Sequence, residues 1–504
     1  MPPATGCPRR VPLSLAVFLA LLAAGARGAV YHAYPGDDLD VLASALSAGD
    51  TLLLHEGTYS QDMDISGVNG SAGAWITITA APGEHPRING RSGSLNGINI
   101  GNSSYLRISD IEVIYASDGI KFTAGTVSHH VVIENCHVHA CFNVGISSQA
   151  DEASYVEVRN CEVDDCNSCG FYLGYDAGRI VHHWTVSRCH VHDTSGTSLG
   201  YGLQIKPYSY ANVVEDCVFH DVAGATRAGI AVYFTDRAGG EENVVRRNVI
   251  WNVPRNGASD TTPAIWACAD ARIENNIAFD CGMGFHTNSW NGHAVSGLRV
   301  VNNTFYNCLS EGLYMSDGSG NYACNNAVYG CAIRQAAGWV VSGNLSAAGA
   351  AGVFVRTTFG EAGFLYPAAA SPLLDAATAG YAPGVDFDTT PRPQGSGPDV
   401  GAYERCPAGL PGWQIQAGFK EVVPGGPDTA SPALAASSVV LSGTAGDDRT
   451  VPAHVTVAGS DFPVDAAGRW NCGPLALATS TTVIDLDTAD ASGNPRALRV
   501  EVRK

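Results

Sequence analysis

Short apolar runs return along the middle of this chain at regular distances, and none of them falls into a helical period. Each unit reads as a β-branched or apolar run, an Asn or Cys, a second short run, and then Gly-apolar-x-apolar. The first half aligns as "VIENCHVHAC", "VEVRNCEVDDC", "TVSRCHVHDT", "VVEDCVFHDV", "VVRRNVIWNV", "RIENNIAFDC" and "RVVNNTFYNC". Its fixed position is Cys136, Cys161, Cys189, Cys217, Asn248, Asn276 and Asn303, continuing to Asn326 and Asn344. The steps are 25, 28, 28, 31, 28, 27, 23 and 18 residues. The second half aligns independently as "GIKFT", "GISSQ", "GFYLG", "GLQIK", "GIAVY", "AIWAC", "GFHTN" and "GLYMS", at Gly119, Gly145, Gly170, Gly202, Gly229, Ala264, Gly284 and Gly312. Two registers with matching spacing predict a solenoid whose coils carry two or three strands each. Equivalent residues of successive coils then stack into ladders.

Side chains alternate along a strand, so the second half predicts its own faces. Ile120, Ile146, Phe171, Leu203, Ile230, Ile265, Phe285 and Leu313 form an inward stack. The next position points outward and holds Lys121, Ser147, Tyr172, Gln204, Ala231, Trp266, His286 and Tyr314. Two residues later, also outward, stand Thr123, Gln149, Gly174, Lys206, Tyr233, Cys268, Asn288 and Ser316. Lys206 therefore shares a face with Tyr172, Gln204, Tyr233, Trp266, His286, Asn288 and Tyr314. Tyr208, Trp290, Asp236 and Arg237 follow the same strands. Tyr and Trp join an apolar ring to a polar tip, and polar groups amid such rings suit a ligand groove. The competing reading is a small satellite core under long loops, such as the one from Val253 to Thr262.

The same columns reassign the cysteines. Cys136, Cys161, Cys189 and Cys217 fall in one ladder, and Cys141, Cys166, Cys281, Cys308 and Cys331 in another five residues later. Stacked buried thiols account for both. Coil spacing brings neighbours close enough for some pairs to oxidise, without ensuring disulfide geometry. The Asn ladder predicts stacked amides that satisfy turn backbone. Cys166-x-x-Cys169 raises a zinc pair, but one such pair without a second is a weak signal. His137, His139, His190, His192 and His220 lie in the repeat, with His139, His192 and His220 in one column. They read as exposed repeat-derived histidines, with a metal stripe as the alternative.

Outside the repeat, the chain divides. Arg9 and Arg10, the apolar run Val11–Ala24 and the small-x-small triplet Ala26-Arg27-Gly28 predict a bacterial-type secretory signal over 1–28. The mature protein is then secreted or placed at the cell surface, with no membrane contact after cleavage. The solenoid spans 29–405, opening on a short capping helix at Asp40–Leu46. A closing segment at 371–404 covers the open sheet edges. Its Asp386, Asp388 and Asp399 suggest calcium, although no loop motif supports that. A linker covers 406–432. Alternating strands at 433–504 predict a small β-sandwich with a spacer or adhesion role. A net charge of −19 argues against nucleic acid and anionic membranes. It also weighs against a polyanionic substrate unless a local basic patch overrides it. The chain is expected to act as a monomer.

The repeat, together with the opening "AGDTLLLHEGTYSQDMDIS" and "WITITAAPGEHPRINGR", resembles the right-handed parallel β-helix superfamily of pectate, alginate and chondroitin lyases over Val30–Glu404. The C-terminal stretch resembles bacterial immunoglobulin-like modules. The expected fold is all-β, a right-handed parallel β-helix solenoid followed by a small sandwich. The resemblance implies a polysaccharide lyase acting on an acidic, uronate-containing glycan by β-elimination. It implies a strand lysine as base, matched by Lys206, and a nearby arginine as acid, for which Arg227 and Arg237 are the candidates. The calcium-binding acidic residues it expects just before the lysine are absent, because Gly202 and Gln204 stand there.

Tyr233 and His286 are assigned as assistants. His286 is expected two coils beyond Lys206, about 10 Å away. Tyr172, Gln204, Tyr208, Trp266, Asn288, Trp290 and Tyr314 are assigned to substrate binding. A uronate epimerase would use the same proton abstraction. A glycoside hydrolase would need paired carboxylates, and Asp151, Asp176, Asp270 and Asp317 read as turn residues instead. A non-catalytic glycan-binding or adhesin-type solenoid would use the aromatic face without Lys206.

Overall fold

The computed structural model describes residues 28–195, 199–223, 228–236, 241–253, 262–359 and 363–405. Beyond these it describes strands alone, at 414–416, 438–444, 454–457, 460–463, 469–476, 481–489 and 495–503. The secretory signal and the side chains of the expected immunoglobulin-like module lie outside the described residues. Two small sheets are present in that C-terminal stretch, one of three strands and one of four.

From Val30 to Ala347 the chain winds through three parallel sheets, visited in turn by each coil. The first sheet holds 14 strands, the second 12 and the third 11. The outcome is a right-handed parallel β-solenoid, as expected. Its opening helix runs Leu39–Ser44, slightly earlier than expected, because the Asp38 side chain accepts the Val41 N–H at 3.1 Å and caps it there. Leu39 and Ala43 bury the helix against the first coils.

Three-residue strands need sharp corners between them, and the residues at the corners explain the repeat. Asn135, Asn160, Asp216, Asn275, Asn302 and Asn325 all have φ between 51° and 59°. Each sits where the first sheet gives way to the second. Five residues later Asp165, Asp193, Asp221, Asn252, Asp280 and Asn307 turn the chain again, with φ between 48° and 52°. Asn and Asp tolerate this left-handed region better than other residues with a side chain. The residue after each corner points inward. After the first corner it is the Cys/Asn ladder; after the second it is the other cysteine column.

The amide ladder satisfies the corner backbone one coil at a time. Asn276 Oδ1 accepts the Asn248 N–H at 3.0 Å, and Asn303 Oδ1 accepts that of Asn276 at 2.9 Å. The chain of amides continues through Asn326 to Asn344. Each Nδ2 donates to the next amide oxygen and to a carbonyl of the preceding coil, as Asn276 does to Asn303 and to Val245. Where the ladder holds thiols, Cys217 Sγ takes the amide's place and accepts the Cys189 N–H at 3.4 Å. The described cysteines are free thiols. Inside the ladders, coils approach so closely that a Cβ on Gly145 would sit 2.3 Å from Val163 Cγ1 and 2.8 Å from the Gly170 carbonyl.

The closing segment runs beside the coils. It lies along the outer face of the second sheet, where Leu365, Leu373, Val400 and Ala402 pack on Ile277, Phe279, Ala327 and Tyr329. The corner asparagines anchor it: Asn275 donates to the Val385 carbonyl, Asn302 to Asp399 and Gly401, and Asn325 to Thr378. Arg392, fully buried, donates to Glu404 and to the carbonyls of Asp399, Gly401 and Ala402. Two of the aspartates considered for calcium, Asp386 and Asp399, brace this strap. Both Asp386 oxygens accept backbone N–H groups, from Thr390 and Glu404, and so do both of Asp399, from Asp375 and Arg405. Among the described residues the last strand, Leu345–Ala347, stays partly exposed.

Asn276→Ala should lower stability by about 2–4 kcal/mol, since it orphans the buried Asn248 N–H and removes two donated bonds. Asn276→Cys should cost less, because the thiol coils already use sulfur as acceptor. Denaturant unfolding of the two variants checks this order.

Candidate functional site

The third sheet places the outward row as the repeat predicts. Its register pairs Lys121 with Ser147, Ser147 with Tyr172, Tyr172 with Gln204, and Gln204 with Ala231. Trp266, His286, Tyr314 and Arg334 complete it. The residues assigned inward are fully buried. Lys206 follows the Tyr201–Ile205 strand, its N–H donating to Leu173 O at 2.8 Å, while the Tyr233 N–H donates to Ile205 O. Gly174 stands level with Lys206 in the preceding coil. A side chain there would crowd Ser209 Oγ at 2.5 Å and Lys206 Cβ at 3.5 Å.

Around Lys206 the structure assembles a compact group. Its ammonium nitrogen lies 4.9 Å from the centre of the Tyr172 ring and 4.5 Å from that of Tyr233. It donates to Gln204 Oε1 at 3.4 Å. The Tyr233 hydroxyl reaches the same Oε1 at 3.4 Å and the Tyr201 hydroxyl at 3.3 Å. Gln204 is fixed from below, because its Nε2 donates to Cys169 Sγ at 3.1 Å. Cys169 thus belongs to the outer cluster and Cys166 to the core, so the Cys-x-x-Cys pair does not converge on one ion. Burial pushes the Tyr172 phenol well above its ordinary range.

Part of this row is less exposed than the alternation suggests. Gln204, Tyr233 and His286 are buried. The 287–294 turn lies over Tyr233 and Phe234: its Trp290 ring stands 4.8 Å from Tyr233 and its His293 stacks on Phe234 at 3.5 Å. Tyr208 packs edge-on against Phe234. The satellite-core reading therefore holds for Tyr233 and its neighbours. Tyr172, Lys206, Tyr208, Trp266, Trp290 and Tyr314 remain partly open to solvent, and Asn288 is exposed. The Trp266 indole donates to Asn288 Oδ1 at 2.7 Å, holding its ring at the surface.

His286 sits farther from Lys206 than expected. The strands of Tyr233, Trp266 and His286 follow that of Lys206 in order, so His286 is three coils away, about 14 Å. It belongs to a second group, 4.6 Å from the Tyr314 ring, over which the Arg334 guanidinium lies at 4.5 Å. Desolvation holds the His286 imidazole down at about 4. It is neutral at neutral pH but too distant to share an atom with Lys206. Arg227 and Arg237 lie outside the described residues.

Two features near the row carry no signal in the repeat. Arg179, from a turn paired with Asp176, lies over the Tyr175 ring at 3.8 Å, and Tyr175 adjoins Tyr172. It brings a cation to the rim of the Lys206 group. Its sequence signal was the Tyr175-Asp176-x-x-Arg179 turn directly after an outward strand. Nearer the N-terminus, the fully buried Asp118 pairs with Lys121 at 2.8 Å and accepts from Asn143 and Ser147.

The family described as a right handed beta helix region matches residues 96–262. No curated protein sequence matches the chain. Among solved structures, the pectate lyase Pel9A is similar at 16% identity and a TM-score of 0.49, covering 75% of this chain and 96% of its own. An alginate lyase from Paenibacillus sp. str. FPU-7 is similar at 16% identity and a TM-score of 0.42, covering 62% of this chain and 97% of its own. XylC, solved in complex with xylose, has 10% identity and a TM-score of 0.46, covering 63% and 83%. These likenesses add nothing to the coil architecture already described.

Desolvation of the His286 imidazole makes stability depend on pH. Its ordinary value is 6.5 and its folded value about 4. As pH falls from 6.5 towards 4, the unfolded chain takes up a proton that the folded protein refuses. Stability attributable to this site should fall by on the order of 3 kcal/mol over that window. Unfolding midpoints of the wild type should drop more steeply below pH 6.5 than those of His286→Gln; parallel profiles would remove His286 as the cause.

Proposed function

We propose that the outer face of the third sheet binds a uronate-containing polysaccharide and cleaves it by β-elimination. The observation that carries this reading is the Lys206 ammonium, held between the Tyr172 and Tyr233 rings and beside Gln204. Sugar rings present apolar C–H faces and polar rims, which rings with polar tips match. A solvated lysine would need none of this enclosure. Fold alone hosts many chemistries, so the reading rests on the side chains.

Elimination asks for three groups. One neutralises the uronate carboxylate, so that the C5 proton becomes acidic; one removes that proton; one protonates the departing glycosidic oxygen. In this reading the amine form of Lys206 takes the C5 proton. The electrons of the C5–H bond form the C4=C5 double bond as the C4–O bond breaks. The Tyr233 hydroxyl, in reach of Gln204 and Tyr201, supplies the proton to the leaving oxygen. Arg179 stands at the rim to meet a carboxylate, and Arg227 or Arg237 serves as a further group neutralising that carboxylate. Trp266, Trp290 and Tyr314 extend the face along the coil axis for neighbouring sugars.

A non-catalytic glycan-binding face is the second reading, favoured by the burial of Tyr233 and Gln204. One experiment separates them. The purified protein is incubated with alginate, pectate, glucuronan and chondroitin, with and without calcium, while the ultraviolet absorbance of unsaturated uronate is followed. Absorbance should rise with one polymer, and Lys206→Ala should cut kcat/KM by about a hundred-fold or more while binding survives. Binding without absorbance, lost in Trp266→Ala and kept in Lys206→Ala, would establish the binding solenoid. New reducing ends without absorbance would point to hydrolysis, and C5 deuterium exchange without scission to epimerisation.

A further inference from the structure

The outer face of the second sheet carries a checkerboard that the third-sheet reading does not use. Two outward positions per strand, stacked coil on coil, hold His137 and His139, then Glu162 and Asp164, then His190 and His192. The next coil adds His220 beside His192. A carboxylate pair is thus sandwiched between two histidine pairs, each one coil away. We propose that this face is a binding site for two divalent transition-metal ions of the zinc class, each held by two imidazoles and one carboxylate.

The two ligand sets are separate. His137, His139 and Asp164 form the first, and Glu162, His190 and His192 the second; within each set the ligand atoms lie within 4.8 Å of one another. In the first, His137 Nε2 and His139 Nδ1 each stand 2.7 Å from one oxygen of Asp164. Ligand atoms bonded to one zinc-class ion at about 2 Å stand roughly 3–4 Å apart, so each set closes on an ion by side-chain rotation. Imidazole nitrogen with one carboxylate selects this class of ion over calcium or magnesium, which take all-oxygen shells.

The neighbours of the second set fix which ring nitrogens face it. His192 Nδ1 lies 2.7 Å from Asp193 Oδ2 and so carries its hydrogen there. Its Nε2 is left facing Glu162 Oε1 at 3.4 Å. A lone pair and a carboxylate face each other only with positive charge between them, a proton or a metal ion. His220 is arranged in the same way, with Nδ1 2.5 Å from Asp221 Oδ2. Its Nε2 must then accept from His190 Nε2, 2.7 Å away. That bond leaves His190 Nδ1 turned to Glu162, at 3.6 Å. Asp193, and His220 backed by Asp221, therefore aim both imidazoles at one carboxylate, as carboxylates behind metal-binding histidines do. Trp251 stacks flat on His220 at 4.4 Å and holds that ring in place.

The ligand side chains range from 14% to 39% exposed. An ion could reach them, and three protein ligands leave a coordination position open to solvent. Because this face belongs to another sheet, the inference stands whether or not the third sheet is a lyase site.

The test uses the full chain, stripped with a chelator and equilibrated with Zn2+, with bound metal measured after dialysis. About two equivalents should be retained, and Co2+ in place of Zn2+ should give visible absorption bands. The double variant Glu162→Gln/Asp164→Asn should lose both equivalents, while Asp193→Asn should weaken one of them by about ten-fold or more. His129→Gln, at a histidine pair on the first sheet, should leave the stoichiometry unchanged and so exclude general histidine binding. Thermal unfolding without metal confirms that each variant is folded. Retention of no zinc by the wild type, or equal retention by the wild type and the double variant, would overturn the proposal.

Discussion

Everything in this protein depends on the short, constant distance between coils. Parallel strands stack at about 4.8 Å, so a residue's closest partners are its counterparts one repeat away in sequence. The interior must tolerate that closeness at every level. Glycine precedes the inward apolar residue because a Cβ would strike the next coil. Asparagine or cysteine follows the first corner because a small group with an acceptor must meet the backbone N–H of the coil before. The core is therefore a set of ladders, each chosen by one steric and one hydrogen-bonding demand.

On the outside the same spacing creates surfaces by adjacency. Residues that look scattered in the chain become a continuous surface. Gln204 and Tyr233 are 29 positions apart in the chain, yet they touch. Aromatic rings on consecutive coils cannot all point freely into water. Tyr233 resolves this by going under Trp290, and Trp266 by leaning on Asn288. The outcome is a face with a buried polar floor and partly exposed aromatic walls. The second sheet meets the same constraint with charge, setting a carboxylate pair between imidazole pairs on the coils to either side.

Columns were legible in the sequence because a strand period of two and a coil repeat are both written in residue type. The outward row from Lys121 to Tyr314 and the amide ladder from Asn248 to Asn344 could be read residue by residue. What covers a face was not legible. The 287–294 turn has no repeat, and only its contacts with Tyr233 and Phe234 show that it folds over the row. His286 lies three coils from Lys206 and not two, a distance that the successive positions Gly202, Gly229, Ala264 and Gly284 carry in the sequence. The strap at 371–404 was visible as a break in the pattern, but its course along the second sheet depends on anchoring by Asn275, Asn302 and Asn325. Their value as anchors follows from corner geometry that residue type alone does not convey. The histidine columns were visible, and the carboxylates between them were not read as part of the same pattern.

We propose that a glycan lies on the outer face of the third sheet. A crystal structure of Lys206→Ala with a bound oligouronate tests it most directly. Sugar rings lying along the coil axis over Tyr172 and Trp266, with a carboxylate turned towards the space left by Lys206, are the predicted result. An oligosaccharide bound across the first or second sheet, with the third-sheet row untouched, would contradict the account.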